Sequence, residues 1–226
     1  MKQLSVETKT ILDLCGGTGS WAKPYKDNGY DVRTLTLPDF NVENWRDNEE
    51  FVELLHSNTV YGILAAPPCT MFSIARNDKT AREPRDLHKG IKTVQACLDI
   101  VHECLYSPYN VSKNSLKFWA LENPASGYLK RFLGSPPLVF DPSDFGDNHS
   151  KKTALWGMFN EPKKATKGTV IKGDADNYVK NVEKYFGEKA HLIPDGYRDK
   201  TGLSMRTVVR SITPQGFANA FYKENK

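Results

Sequence analysis

The feature of this sequence that most constrains its fold is a short apolar run that ends at two prolines and a cysteine. Tyr61–Ala66 predicts a buried strand, and Pro67 and Pro68 follow it directly. A proline lacks the amide hydrogen that a sheet needs and biases its predecessor toward extended backbone, so the pair ends the strand. Cys69 is thereby placed at a strand's carboxyl end, where open α/β sheets bind ligands. The alternative is that Cys69 is a small buried apolar residue, the usual fate of a free cysteine.

Length and composition limit the classes to which the chain can belong. Its 226 residues suffice for one large core and a small insertion, and no apolar run approaches the ~20 residues that span a bilayer. No apolar signal core follows Met1, so we expect a cytoplasmic protein. The four cysteines lack Cys-x-x-Cys spacing, and we expect reduced thiols and no metal. A net charge of +4 is compatible with nucleic acid without establishing it.

A glycine-rich turn, Cys15–Ser20, separates the predicted strand Thr10–Leu14 from a predicted helix that begins near Trp21 and ends at Gly29. Tyr30–Leu37 predicts the next strand, which completes a βαβ unit. Glycines at such a turn let the backbone approach a ligand closely, and the serine that ends it is placed to cap the helix. A tight turn that binds nothing is the alternative interpretation.

The residues around the glycines favour one kind of ligand. The turn has no Gly-Lys-Ser/Thr, which disfavours an ATP phosphate loop, and Asp13 precedes the glycines, whereas a dinucleotide site places its acid after the second strand. Asp-x-x-Gly-Gly-x-Gly instead resembles the S-adenosylmethionine motif of Rossmann-type methyltransferases. Past the second strand, Asp39 and Glu43 are candidates to bind ribose hydroxyls, or are solvated charges at a turn and a helix start.

The segment after Cys69 carries an excess of positive charge. Its charged residues are Arg76, Lys79, Arg82, Arg85, Lys89 and Lys92 against Asp78, Glu83 and Asp86. A basic loop beside a nucleophile is suited to close over a phosphate backbone, and a solvated loop is the alternative. Apolar residues then recur at threes and fours through Leu87–Tyr106, which predicts a long helix with one buried face. Cys97 and Cys104 lie beside that stripe and are predicted to fill the core.

The second half of the chain repeats the pattern of a strand followed by polar residues. Phe118–Leu121 predicts a buried strand that ends in Glu122-Asn123-Pro124, and we favour a site carboxylate over a helix cap for the glutamate. Trp45–Leu55 and Ala218–Tyr222 predict helices, and Ala154–Gly157 predicts a short strand.

Five motifs occur in one order that resembles the DNA cytosine-5 methyltransferases. They are Asp13-Leu-Cys-Gly-Gly-Thr-Gly19, Ala66-Pro-Pro-Cys69, Leu121-Glu-Asn-Pro124, Lys151-Lys-Thr153 and Arg210-Ser-Ile-Thr-Pro214. The resemblance covers 1–157 and 204–226, which it implies form the catalytic domain. It implies an α/β fold, a Rossmann-type methyltransferase sheet with helices on both faces and, at its edge, an antiparallel strand. Residues 158–203, rich in lysine, are then a small basic insertion or a reduced target-recognition segment.

The resemblance implies a covalent reaction on cytosine. Cys69 would attack carbon 6 of the ring as a thiolate, which is strongly nucleophilic and able to leave again. Glu122 would hydrogen-bond or protonate ring nitrogen 3, and Asn123 would help to fix that loop. Lys151 would help to hold the target nucleotide. Carbon 5 would then take the methyl group of S-adenosylmethionine, and a cytosine in duplex DNA would have to be flipped out.

The resemblance also implies two sets of binding residues. The residues for S-adenosylmethionine would be Asp13, Cys15, Gly16, Gly17, Thr18, Gly19, Ser20, Trp21, Asp39, Pro67 and Asn219. The residues for DNA would be Ser73, Arg76, Arg82, Arg85, Lys152 and Arg210. Compact members of the family are typical of phage or mobile elements, which implies a bacterial cell or a phage-infected host.

Three departures from the family pattern leave alternatives open. Glu-Asn-Pro replaces the usual Glu-Asn-Val, and the segment from His149 to Thr153 replaces the usual Gln-x-Arg-x-Arg. Residues 158–203 are few for reading several base pairs, which predicts short or relaxed specificity or a partner that supplies recognition. The same chemistry on a cytosine nucleotide or on RNA is one alternative. A catalytically silent nucleic-acid-binding protein is another, which the presence of both Cys69 and Glu122 disfavours.

Overall fold

The computed structural model describes residues 9–77, 84–109, 115–147, 150–165 and 189–226. Within these residues, six strands form one mixed sheet in the order β2-β1-β3-β4-β6-β5. The strands are β1 (Thr10–Leu14), β2 (Asp31–Leu35), β3 (Val60–Ala65), β4 (Phe118–Pro124), β5 (Leu138–Phe140) and β6 (Thr153–Met158).

Helices connect and flank these strands. The α-helices are α1 (Lys23–Asp27), α2 (Glu49–His56), α3 (Leu87–Tyr106), α4 (Lys130–Leu133), α5 (Tyr197–Thr201), α6 (Met205–Ser211) and α7 (Gln215–Glu224). Short 3-10 helices span Val42–Asp47, Ile74–Asn77, Pro142–Phe145 and Ala190–Leu192. Among the described residues, no helix is both long enough and apolar enough to cross a membrane.

The strand order places the carboxyl ends of three strands together. β1 to β4 are parallel, and β1 lies between β2 and β3. The chain therefore passes from β1 to β2 on one side of β1 and then crosses to β3 on its other side. In the register of the sheet, Leu14 pairs with Ala65, and Ala65 pairs with Leu121. The glycine turn, the Pro-Pro-Cys segment and Glu122 therefore begin at the same edge, beside the point where the strand order reverses.

The sheet has an apolar core on each face. Alternate strand residues point to opposite faces, so Leu12 and Ile63 pack in the core formed with α2 and α3. Ile11 and Leu64 belong to the other core, with the aromatic side chains of α1 and α7. The Trp21 and Phe221 rings there pack edge to face at 5.6 Å. The predicted α/β class with helices on both faces is confirmed. The prediction of an antiparallel strand at the edge is wrong in its position, because the antiparallel strand β6 lies between β4 and β5.

Most element predictions hold, with boundary changes that have local causes. α3 begins and ends where the apolar period predicts, and Cys97 and Cys104 are buried. The predicted helix Trp45–Leu55 is wrong as one unit, because Asn48 has extended backbone and its side chain caps a new helix by accepting from Phe51 N–H. Ser20 does not cap α1, whose N-cap is Ala22; its hydroxyl accepts from Thr213 N–H instead.

β4 is longer than predicted, and the extension bears on the site. Its parallel pairing with β3 ends at Leu121, which is where the sequence predicts the strand to end. The strand nevertheless continues to Pro124, because its other side pairs antiparallel with β6 and places Glu122 opposite Leu155. β5 was not predicted from the sequence, because its three residues are too few to show a period.

We expect Gly157→Ala to lower the free energy of unfolding by about 3 kcal/mol or more. Gly157 has φ of +144°, and a Cβ atom there would lie 2.1 Å from the Trp119 carbonyl oxygen in the middle of the sheet. Gly29→Ala is the matched control, because Gly29 has φ of +83° with no atom within 4 Å of the added carbon. It is expected to cost about 1 kcal/mol, by urea denaturation. Equal losses for the two variants would contradict the steric argument.

Candidate active site

The glycine turn after β1 is shaped by a buried carboxylate. Asp13 is fully buried at the end of β1, and a Cβ atom on Gly16 would lie 2.1 Å from its Oδ2 atom. Only glycine therefore fits at position 16 over this side chain. Cys15, Gly17 and Gly19 all have positive φ, which folds the turn tightly back over β1. The turn exposes its backbone toward the space above the sheet, where a ligand can approach closely.

Burial changes the acidity of Asp13. Thr34 donates a hydrogen bond of 3.4 Å to Oδ2, and Oδ1 has no hydrogen-bond partner among the described residues. Loss of solvation raises the pKa of Asp13 to about 7, although the bond from Thr34 lowers it. A carboxyl group with one unpartnered oxygen thus lies directly beneath the turn.

The segment after β3 holds Cys69 in a tight hydrogen-bonded turn. Ala66 N–H donates to Leu14 C=O at 2.9 Å, which joins the start of this segment to β1. The Cys69 carbonyl then accepts from Phe72 N–H at 2.9 Å and from Ser73 N–H at 2.8 Å. Cys69 is partly exposed, as the prediction of a strand-end cysteine requires, whereas Phe72 is fully buried. The buried ring anchors the turn that carries the thiol.

Asn123 connects this segment to β4. The Asn123 side chain is 1% exposed, and its Nδ2 atom donates to the Pro67 carbonyl at 3.0 Å. The neighbouring Glu122 side chain points the other way along the strand alternation, toward Cys69. Its Oε2 atom is buried and has no hydrogen-bond partner among the described residues. The bond made by Asn123 therefore fixes Glu122 and Cys69 beside each other, with one carboxylate oxygen left for a ligand.

These segments border one cleft of about 1080 Å³. Residues from the glycine turn, from the Pro-Pro-Cys segment and from β4 line it, including Asp13, Gly17, Cys69 and Glu122. The volume exceeds what one drug-sized ligand needs, so the cleft has room for two small molecules or for one molecule and part of a polymer.

Positive charge predominates among the charged residues that line the cleft. The basic ones are Arg76, Lys151, Lys152, Lys200, Arg206 and Arg210, and the acidic ones are Asp13, Glu43 and Glu122. Lys151 Nζ donates to the Arg210 carbonyl at 3.5 Å, which links the start of β6 to α6. A cleft of this sign favours an anionic ligand such as a phosphate ester.

The same charges act on the thiol. Burial raises the pKa of Cys69, and the Glu122 carboxylate raises it further. The Lys151 ammonium and the Arg210 guanidinium lower the pKa of Cys69 but leave it above its ordinary value. The free protein therefore holds Cys69 mostly as the thiol near neutral pH, beside two cations that favour the thiolate.

The cleft brings together many of the residues predicted from sequence. They are Asp13, Cys15, Gly16, Gly17, Trp21, Pro67, Cys69, Ser73, Arg76, Glu122, Lys151, Lys152 and Arg210.

Other predicted residues lie elsewhere. Thr18, Gly19 and Ser20 belong to the turn but do not line the cleft, and the Ser20 hydroxyl accepts a hydrogen bond from Thr213 N–H. Asp39 lies outside the lining and is ion-paired with Lys200, and Asn219 is exposed on α7. Arg85 bonds to the protein backbone. Arg82, Lys79, His149 and residues 166–188 lie outside the described residues.

Sequence reasoning missed one side of the cleft. Tyr197, Lys200 and Thr201 of α5 line it, as do Leu203 and Arg206. Tyr197 is half-buried, and its hydroxyl lies so close to the glycine turn that a Cβ atom on Gly17 would be 3.4 Å from it. These residues follow a segment with no apolar period, so no pattern in the sequence ties Tyr197 to Gly17, which precedes it by 180 residues.

Comparison with known protein families and with curated proteins finds no match for this chain. Among the described residues, no group of histidine, cysteine, aspartate and glutamate is arranged to hold a metal ion. The function is therefore inferred from the geometry of the cleft.

We expect Glu122→Gln to speed alkylation of Cys69 by iodoacetamide at pH 8 by roughly two- to fivefold, because loss of the carboxylate lowers the pKa of the thiol. Lys151→Met is expected to slow the reaction, since it removes a cation that favours the thiolate. Mass spectrometry of the peptide that contains Cys69 separates this reaction from that of Cys15. A slower reaction in Glu122→Gln would mean that the two side chains do not interact as described.

We expect Asp13→Asn to flatten the pH dependence of stability. Folding raises the pKa of Asp13 from 3.8 to about 7, so protonation of Asp13 favours the folded state. This contribution to the free energy of unfolding is fully present below pH 3.8 and is lost as the pH rises through about 7. Between pH 5 and pH 8 this loss amounts to at most about 3 kcal/mol, measured by urea denaturation. Asp99→Asn, at an exposed ion pair with Arg46, controls for removal of one carboxylate. If Asp13→Asn had the same pH dependence of the free energy of unfolding as the wild-type chain, Asp13 would not titrate between pH 5 and pH 8.

Proposed function

We propose that this chain transfers a methyl group from S-adenosylmethionine to carbon 5 of cytosine in DNA, through a covalent adduct on Cys69. The observation that carries the proposal is that Cys69, Glu122 and the glycine turn border one cleft, although they come from three different strands. A nucleophile, a carboxyl group and a ligand-binding turn at one sheet edge are what this reaction requires. The Rossmann-type methyltransferase architecture belongs to the same proposal, and the strand order supports it.

The reaction begins with addition of Cys69 to the ring. The thiol loses its proton to solvent, and its sulfur forms a bond to carbon 6 of cytosine while the electron pair of the carbon 5–carbon 6 double bond moves toward carbon 5 and nitrogen 3. Lys151 and Arg210 favour the thiolate through their charge. Because burial and the Glu122 carboxylate raise the pKa of Cys69, formation of the thiolate in quantity depends on the bound substrate.

Glu122 acts at nitrogen 3 of the ring. Its buried oxygen without a partner is placed to bind there, and a proton shared with nitrogen 3 stabilises the charge that addition of the thiolate creates. Asn123 keeps the carboxyl in place through its bond to Pro67. When bound, S-adenosylmethionine would supply the methyl group to carbon 5 and would leave as S-adenosylhomocysteine. Loss of the carbon 5 proton to solvent then restores the double bond and releases Cys69 as the leaving group.

The residues of the cleft fit the methyl donor. The glycine turn approaches a ligand through its backbone, and Gly16 leaves no room for a side chain above Asp13. Asp13 and Glu43 offer carboxylates toward the cationic ligand, and Trp21 and Phe40 provide apolar walls. Asp39, which the sequence suggested for the ribose, is held by Lys200 at the surface, so Glu43 is the better placed acid of the two.

The basic side of the cleft supports a nucleic-acid substrate. Lys152, Arg206 and Arg210 are exposed at its margin and present cations to a phosphate backbone. A target base reaches Cys69 only if it leaves the helical stack, because the thiol lies inside the cleft. The predicted recognition role of residues 158–203 stays a prediction.

One observation favours a cytosine nucleotide as a second candidate substrate. Tyr197, Thr201 and Leu203, from the segment that would read DNA, line the reaction cleft itself. A wall at this position suits a substrate that enters the cleft whole. Methyl transfer to dCMP would reveal this activity.

We expect Cys69→Ala to abolish transfer of labelled methyl from S-adenosylmethionine to duplex DNA of mixed sequence, because the adduct cannot form. Glu122→Gln is expected to lower kcat by about 10²- to 10⁴-fold even though its thiol is the more reactive one. Cys15→Ser, at the other partly exposed cysteine of the cleft, is the matched control and is expected to retain the adduct chemistry.

Covalent trapping gives a second test of the nucleophile. A duplex that contains 5-fluorocytosine is expected to remain attached to the wild-type chain at Cys69, because fluorine blocks the final elimination. Trapping by a Cys69→Ala chain would contradict the assignment. S-adenosylmethionine binding without transfer to DNA would direct attention to nucleotide and RNA substrates, and the absence of cofactor binding would refute the proposal.

A further inference from the structure

The Arg85 guanidinium is bonded to the segment that carries Cys69. Its Nη1 atom donates to the Met71 carbonyl at 2.5 Å, and its Nη2 atom donates to the Ser73 carbonyl at 2.9 Å and to Asn77 Oδ1 at 2.7 Å. Both hydrogens of Nη2 are thereby used. The planar fork thus connects three points of one chain segment, which the single ammonium of a lysine does not reproduce.

A ring holds the guanidinium in this position. The centre of the Tyr128 ring lies 4.6 Å from the Arg85 guanidinium carbon, within the range of a cation–π contact. Tyr128 N–H in turn donates to the Phe72 carbonyl at 2.9 Å. The carbonyls of Met71, Phe72 and Ser73 are therefore all bonded, to Arg85 or to Tyr128.

Close packing restricts the same turn from two further sides. A Cβ atom on Gly90 would lie 2.7 Å from Met71 Cβ, and one on Gly127 would lie 3.2 Å from the Phe72 carbonyl oxygen. α3 and the segment after β4 therefore both press on the residues next to Cys69. Since the Cys69 carbonyl accepts from Phe72 and Ser73, a shift of those residues moves the thiol.

The position of Arg85 also argues against a contact with DNA. Arg85 is half-buried and lies outside the lining of the cleft, whereas Lys152 is exposed and lines it. An arginine that binds a phosphate presents its fork to solvent, and here the fork faces the protein backbone.

We propose that Arg85 is a positioning residue that fixes the Cys69 turn in its reactive geometry, and not a contact to nucleic acid. This inference rests on the proposed function for its kinetic consequences, but the contact itself concerns the thiol and is measurable without any substrate. Arg85 keeps Met71 and Ser73 in place, and these hold the turn whose amide groups bond to the Cys69 carbonyl. Displacement of a reacting group by about 1 Å costs on the order of 10²-fold in rate.

The experiment compares Arg85→Lys, Asn77→Ala and Lys152→Met with the wild-type chain. Arg85→Lys keeps the charge but loses the fork, and Asn77→Ala removes one of the three bonds and keeps the arginine. Both variants are expected to lower kcat for DNA methylation, Arg85→Lys by about 10- to 100-fold, with KM for DNA within about twofold of wild type. Lys152→Met is expected to raise KM and to reduce the salt dependence of DNA binding by about one phosphate contact, with kcat unchanged.

The substrate-free readout is alkylation of Cys69 by iodoacetamide. Loosening the turn exposes the thiol, so Arg85→Lys is expected to speed the reaction by about threefold or more, and Asn77→Ala less so. Lys152→Met is the comparison, because it removes a cation near the cleft and keeps the hydrogen bonds that Arg85 makes to the Cys69 segment. Circular dichroism confirms that each variant is folded, and Asn77→Ala carries the test if Arg85→Lys does not fold.

Two results would overturn the inference. One is an Arg85→Lys chain with wild-type kcat and wild-type alkylation of Cys69. The other is an Arg85→Lys or Arg85→Met chain that changes only KM and the salt dependence of DNA binding, which would identify Arg85 as a phosphate contact. A wild-type chain that transfers no methyl group would refute the proposed function alone, because the alkylation comparison still decides whether Arg85 fixes the turn.

Discussion

The hydrogen bond from the Asn123 side chain to the Pro67 carbonyl connects the two halves of the candidate site. It replaces the backbone pairing that Pro67 and Pro68 end, because a proline offers a carbonyl but no N–H. A buried amide that satisfies a buried carbonyl across a broken strand pair contributes about 1 kcal/mol in net stability. Its larger effect is geometric: with Asn123 turned toward Pro67, the alternation of β4 turns Glu122 toward Cys69.

The cleft combines a rigid floor with a wall from the second half of the chain. The parallel pairing of β1, β3 and β4 ends at one level of the sheet, so the glycine turn, the thiol and the carboxyl group rest on paired strands with an apolar core on each face. α5 and α6 close the opposite side, where Lys200 reaches Asp39 and Lys151 reaches the Arg210 carbonyl. Both of these contacts lie near the surface, where salt screens them and single contacts contribute little. The floor is therefore preorganised, and the wall depends on weaker interactions.

The site holds two ionisable groups whose pKa is raised by burial, and their environments differ. Asp13 has an oxygen without a hydrogen-bond partner, and burial raises its pKa to about 7. Cys69 has its pKa raised by burial and by Glu122, against the effect of two cations. Such perturbed groups in one cleft are typical of functional sites, because a fold selected only for stability pairs or excludes them. The buried Cys97 thiol, whose pKa is raised chiefly by its contact with Cys15, lies in the core beneath the turn.

The sequence by itself determined the elements whose causes are local. The proline pair ends β3, the period of Leu87–Tyr106 defines α3, and the order of strands and helices implies an α/β sheet with its ligands at the carboxyl edge. It also indicated Cys69, Glu122 and the glycine turn, because each lies at or shortly after the point where the parallel pairing of a strand ends. Only the tertiary structure decided that Arg85 bonds to the Cys69 segment, that Asp39 pairs with Lys200, and that Tyr197 stands over Gly17. Those contacts join residues distant in sequence or within a loop, where side-chain direction depends on packing and no period records it.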